Sequence, residues 1–164
     1  QNSIVCLDGD QQPTPHKTVV TLPGPLPPDQ LIFEFLYNLD ASDEFWKNDL
    51  QFSRTVFTNA AHEVTSEFKI TGVVVDVEER LNAYTGSAKP REIFKKFYKS
   101  ERMQEVLTSG AKPYNPWTYW IESHPSEAND FLNRMHAALL WVMQTGYGVD
   151  AAKLRNLGVK HKRP

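Results

Sequence analysis

Ile4-Val5-Cys6-Leu7 is an unbroken apolar run that ends abruptly in Asp8-Gly9-Asp10. Four apolar residues without polar alternation, closed by a turn signal, predict a short buried strand. A polar, proline-bearing stretch from Gln11 to His16 follows. The β-branched run Thr18-Val19-Val20-Thr21-Leu22 then predicts a second strand, stopped by Pro23-Gly24-Pro25. Pro27-Pro28-Asp29-Gln30 opens a helix, because proline and an acidic residue both suit a first helical turn. That helix runs from Leu31 to Asn38, with Leu31, Phe33, Phe35 and Leu36 on its apolar face. Strand, carboxylate turn, strand and helix make an α/β layer, but a partial one, since two strands are marginal by themselves.

Beyond residue 40 the spacing becomes helical. Asp40 to Glu44 is a capping cluster for a longer helix, and Phe57, Ala61, Val64 and Phe68 recur at i, i+4, i+7 and i+11. Val73, Val77, Leu81 and Tyr84 continue that period beyond Gly72, whereas Phe68-Lys69-Ile70 and Val73-Val74-Val75 have the composition of a strand. Both readings stand for Glu67 to Val77. Thr85-Gly86-Ser87 is a loop, Pro90 to Tyr98 a helix carrying Ile93, Phe94 and Phe97, and Glu101 to Leu107 a second short helix. Gly110 to Pro116 is a loop that ends in the aromatic cluster Trp117, Tyr119 and Trp120. Ser123-His124-Pro125-Ser126-Glu127 starts a helix running through Phe131, Met135, Leu139, Leu140 and Val142 to a stop at Thr145-Gly146. A last helix spans Val149 to Leu157, and the basic tail Lys160 to Pro164 is expected to fray. The fold class that results is α/β, a partial sheet over residues 1–40, followed by a mainly α-helical extension. The division into domains falls at 1–42 and 43–164.

Composition narrows the classes. The chain has 164 residues, 40% of them apolar and 23% charged, which suits a globular protein with one well-filled core. A formal net charge of −2 excludes wholesale coating of nucleic acid and leaves room for a local basic face. The single cysteine, Cys6, forms no internal disulfide and lies in the first apolar run, so a buried thiol in a reducing, cytoplasmic compartment is expected. No apolar stretch approaches the roughly 20 residues needed to span a bilayer, and no signal-peptide pattern opens the chain. The first strand begins within a few residues of Gln1, which points to a piece of a larger protein.

Candidate chemistry centres on Asp8 and Asp10. Two carboxylates at i and i+2 beyond a strand end, with Gly9 between them for a tight turn, can converge on one hard cation. Carboxylate and water ligands suit Mg²⁺ or Mn²⁺, the ions of phosphate-ester chemistry. A plain Asp-Gly surface turn is the competing structural reading. Lys95, Lys96, Lys99 and Arg102 form a basic run, and spacings of four and three place Lys95, Lys99 and Arg102 on one side of a helix, as a nucleic-acid-binding or merely solvated face. Trp117, Tyr119 and Trp120 suit core packing better than base stacking, and His124 suits a helix start. His62 and His136 lack partners at zinc-ligand spacing. No phosphate-cradling Gly-x4-Gly-Lys-Ser/Thr loop occurs, so any ATP would be bound by an upstream module.

Ile4-Val5-Cys6-Leu7-Asp8-Gly9-Asp10, then Val19-Val20-Thr21-Leu22-Pro23-Gly24, then Pro28-Asp29-Gln30-Leu31-Ile32-Phe33-Glu34-Phe35-Leu36 resemble, in that order, the second half of a Toprim domain. The likeness is to ATP-dependent nucleases of the overcoming-lysogenization-defect type and related ATPase-coupled anti-phage nucleases. It is best over the first forty or so residues and looser through Lys95-Lys96-Phe97-Tyr98, Trp117 to Trp120 and Phe131. The resemblance implies a metal-dependent DNA endonuclease in which Asp8 and Asp10 hold Mg²⁺ or Mn²⁺ and are catalytic. In such a nuclease Lys96 or Lys95 would offset charge near the scissile phosphate, and Lys95, Lys96, Lys99 and Arg102 would contact DNA. The partners it implies are DNA and an upstream ATPase and Toprim segment, in the same protein or another chain, in an assembly that could be oligomeric. The family pattern also uses a glutamate on a strand ahead of Asp-x-Asp, so these residues amount to half a site. A helical interaction module docking onto a partner chain is the non-catalytic alternative. A haloacid-dehalogenase-like phosphatase fits less well, because Gln12 stands where that pattern wants Thr or Val, and no later acidic pair follows a strand.

Overall fold

The computed structural model describes residues 2–12, 15–66, 90–108 and 114–154. In chain order the elements are β1 (Val5–Leu7), β2 (Val19–Thr21), α1 (Pro28–Asn38) and a 3-10 turn (Glu44–Lys47). They continue with α2 (Arg54–Ser66), α3 (Pro90–Tyr98), α4 (Glu101–Thr108), α5 (Pro116–Ser123), α6 (Pro125–Tyr147) and α7 (Ala151–Leu154). The chain is helix-rich with one small parallel sheet, and it divides into two compact units, Gln1–Leu26 with Pro125–Pro164, and Pro27–His124. Among the described residues no helix is long and apolar enough to cross a membrane. The alternatives for Glu67 to Val77, and the end of the last predicted helix beyond Leu154, lie outside the described residues.

In the first unit β1 and β2 pair in parallel, with Val5 opposite Val19, Cys6 opposite Val20 and Leu7 opposite Thr21. The Val5 N–H donates to the Thr18 carbonyl and the Leu22 N–H to the Leu7 carbonyl, both at 2.8 Å. β2 is the inner strand: its Val20 and Thr21, and Thr18 just before it, are buried, and α6 packs against it. β1 is the outer one, with Val5 41% exposed. The expected buried strand is therefore corrected, and so is the buried thiol, because Cys6 is exposed. An apolar run states what a strand could bury, and β1 has a ladder partner on one edge only among the described residues. On α6 the residues facing inward are Ala128, Phe131, Met135, Ala138 and Val142, a 3-4 alternation, while Leu132 and Leu139 face out. The helix runs past the predicted stop at Gly146, which packs against Asn2, and ends before Gly148. Gly148 takes the left-handed conformation (φ 63°) and lets the Val149 N–H turn back to the Met143 carbonyl at 3.0 Å.

The second unit is built on aromatic packing. Phe33 of α1 lies with its ring centroid 5.6 Å from Phe57, 5.2 Å from Phe94 and 5.0 Å from Phe97, joining α1, α2 and α3. The long helix expected from the Asp40–Glu44 cap does not form in one piece. Asp43 caps only the 3-10 turn, through Phe45 N–H at 2.8 Å, and α2 starts at Arg54. Asn48 is the reason. Its buried amide donates to the carbonyls of Phe45 and Phe52, each at 2.9 Å, and accepts from the Phe52 N–H at 3.0 Å. One side chain thus satisfies the backbone of a non-helical loop, competing successfully with helix continuation. The loop also holds Gln51 at a positive φ of 55°.

Candidate functional site

β1 ends at Leu7 and the chain reverses at once, the Gln11 N–H donating to the Asp8 carbonyl at 3.0 Å across Gly9 and Asp10. Both carboxylates are thereby carried on one turn at the carboxyl end of a parallel strand. Asp8 is half-buried and Asp10 exposed, the latter accepting from the Gln11 side-chain amide at 3.2 Å. Gly9 is required for space. A Cβ there would lie 2.2 Å from the Gly24 carbonyl oxygen and 2.7 Å from that of Leu26. The carboxylate turn is pressed against the Leu22-Pro23-Gly24 turn, where Gly24 does adopt a positive φ of 85°.

A groove of about 470 Å³ opens beside these turns. Gly9 and Gln11 form one wall, Thr21 and the Leu22–Pro25 turn another, and Ser126, Glu127, Asp130 and Arg134 of α6 the third. The Arg134 Nε lies 2.9 Å from the Asp130 carboxylate, one helical turn back. Thr21 is only 8% exposed, and its hydroxyl has no hydrogen-bond partner among the described residues.

Of the predicted site residues, Asp8 and Asp10 are brought together on one turn. Hard oxygen donors of this kind fit Mg²⁺ or Mn²⁺, but no group of three metal-capable His, Cys, Asp or Glu side chains occurs among the described residues. The basic run belongs to the second unit and is not one helical face: α3 ends at Tyr98, and Ser100 N–H bonds back to the Phe97 carbonyl before α4 starts at Glu101. Lys95 is paired with Glu92 and Arg102 with Glu105, each at 3.0 Å, while Lys96 and Lys99 are exposed. Local carboxylates therefore offset part of the charge that a phosphate backbone would need.

The aromatic cluster is committed to packing. Trp120 is 2% exposed, Trp117 Nε1 donates to the Tyr98 hydroxyl at 3.2 Å, and the Tyr119 hydroxyl donates to Asp43 at 2.7 Å. That bond to a carboxylate, with some burial, pushes the Tyr119 pKa up to about 12. His124 sits at the C-terminal end of α5, its ring stacked 4.6 Å from Trp120 and its Nδ1 2.9 Å from the Trp120 carbonyl, a bond in which Nδ1 carries the proton. The groove residues on α6 escaped sequence reasoning because Ser126 and Glu127 also read as ordinary helix-start residues. Only the packing of α6 on β2 brings them beside Gly9. No protein-family model, curated protein or solved structure matches the chain.

Proposed function

We propose that the Asp8-Gly9-Asp10 turn is half of a divalent-cation site for phosphodiester hydrolysis, in a Toprim-type DNA nuclease coupled to an ATPase and acting on phage or other foreign DNA. The observation that carries the reading is the pair of carboxylates on one turn at the carboxyl end of a parallel strand, wedged against the Leu-Pro-Gly turn, with Gly9 and Gln11 of the same turn lining a groove. Ligand crevices of open α/β sheets lie at that end of the strands. Asp8 and Asp10 would hold Mg²⁺ or Mn²⁺ through carboxylate oxygens, and such an ion, when bound, polarises a phosphate and acidifies an attacking water. Glu127 adds one negative charge to the neighbouring groove, where Asp130 and Arg134 offset each other. The further glutamate of the Toprim pattern would come from another segment or chain.

The test is Mg²⁺-dependent cleavage of DNA by the full protein. Asp8→Ala and Asp10→Ala should each lower the rate by about 100-fold or more while leaving the circular dichroism spectrum unchanged. Wild-type rates in both variants would exclude this turn as the catalytic site.

A further inference from the structure

We propose that Pro27–His124 folds by itself and holds the other unit together, so that the carboxylate turn opens whenever this inserted stretch unfolds, while the stretch stays folded when the turn opens. The inference stands apart from the nuclease reading. The unit that carries Asp8 and Asp10 is assembled from Gln1–Leu26 and Pro125–Pro164, and Pro27–His124 is one continuous stretch between them. β2 and α6, which bury Val20, Ala138 and Val142, therefore meet across about 100 intervening residues. Closing a flexible loop of about that length would weaken their pairing by about 1000-fold. Two valines and an alanine offset that poorly.

The inserted stretch removes the penalty by closing its own ends. α1 is its first element and α5 its last, and the two pack together. The Phe35 ring of α1 lies 6.1 Å from that of Tyr119 on α5 and 5.7 Å from that of His124, the final residue of the stretch. His124 is fixed to α5 in turn, its backbone N–H and its Nδ1 each 2.9 Å from the Trp120 carbonyl. The exit of the stretch thus stands beside its entry helix through contacts made within the stretch alone. Its elements are also joined from within. Arg54 donates to the Tyr37 carbonyl at 3.2 Å, Asn115 to the Leu107 carbonyl at 2.8 Å and Tyr119 to Asp43. Phe33, Phe45, Phe57, Phe97 and Trp120 are each 3% exposed or less, so the larger apolar core lies here. A continuous chain with such a core is the part that is stable alone.

Amide hydrogen exchange of the full protein, resolved by peptide, tests the order of opening. In the wild type the slowest amides of β2 and α6 should exchange faster than those of α1, α2 and α3. Every opening of the inserted stretch also opens the other unit, so stability lost at Gly9 is felt in both. Gly9→Ala should therefore speed both groups by the same factor, about 10-fold or more. Asn48→Ala should speed α1, α2 and α3 by about 10-fold or more and leave β2 and α6 at wild-type rates. If Gly9→Ala speeds β2 and α6 alone, the units open independently and the dependence is overturned. If both groups share one rate of exchange in the wild type and in both variants, the chain opens as a single unit and the autonomy is overturned. Should Gly9→Ala stop the first unit from folding, α1, α2 and α3 must keep their protection; its loss there overturns the proposal as well.

Discussion

At the scale of single residues, the position with least freedom is Gly9. Its neighbours are backbone carbonyls, of Gly24 and Leu26, and neither can rotate aside as a long side chain could. Gly9→Ala should therefore displace one turn from the other and destabilise the protein by about 1–3 kcal/mol, read as a lower urea midpoint at unchanged slope. An undiminished midpoint would show that the turns separate without penalty. The sequence suggested glycine here for a tight turn. Close approach of a second turn is the actual reason, and that requires knowing what the Leu22-Pro23-Gly24 segment faces. Asn48 carries a comparable constraint through hydrogen bonding. Asn48→Ala leaves the Phe52 N–H and two carbonyls unpaired in a buried loop and should cost about 2–3 kcal/mol by the same measurement.

At the scale of elements, one carboxylate oxygen of Asp43 does two jobs, capping the 3-10 turn and accepting the Tyr119 hydroxyl of α5. The tyrosine is protonated in that bond, and its pKa stands at about 12 against an ordinary 10.0. Between those values the unfolded chain has released the proton and the folded chain retains it. The contribution is complete below pH 10 and disappears as the pH rises toward 12. Tyr119→Phe should lower stability by about 1 kcal/mol at neutral pH and flatten the fall in stability between pH 10 and 12. Melting curves across that interval check the sign; a variant whose alkaline profile superimposes on wild type would remove Tyr119 as the titrating group. The elements themselves were largely legible. α1 and α3 start where prolines stand, and α6 starts at the expected Pro125. The misread segments, the interrupted helix near Asn48 and the basic run broken at Ser100, are places where a polar side chain or a carbonyl serves a local turn instead of a helix.

At the scale of the whole molecule, a helix-rich chain with a small sheet near its start was readable from the shift from unbroken apolar runs to 3-4 spacing. What could not be read was partnership. Parallel pairing of β1 with β2, and the return of α6 to β2 from more than a hundred residues downstream, are contacts between segments whose local patterns carry no address. The candidate site divides along the same line. Asp8 and Asp10 are neighbours in sequence and were visible, whereas Thr21, Glu127, Asp130 and Arg134 come together only through that packing.

The ladder bonds at 2.8 Å on either side of the carboxylate turn, Val5 to Thr18 and Leu7 to Leu22, have an entropic meaning. They clamp both ends of the connection between β1 and β2, and Gly24 presses on its first turn. Most of the ordering that a flexible acidic loop would undergo on capturing an ion has already taken place during folding. In the proposed cation site, affinity would be governed by how many oxygens reach the ion, and hardly at all by how the loop must settle around it.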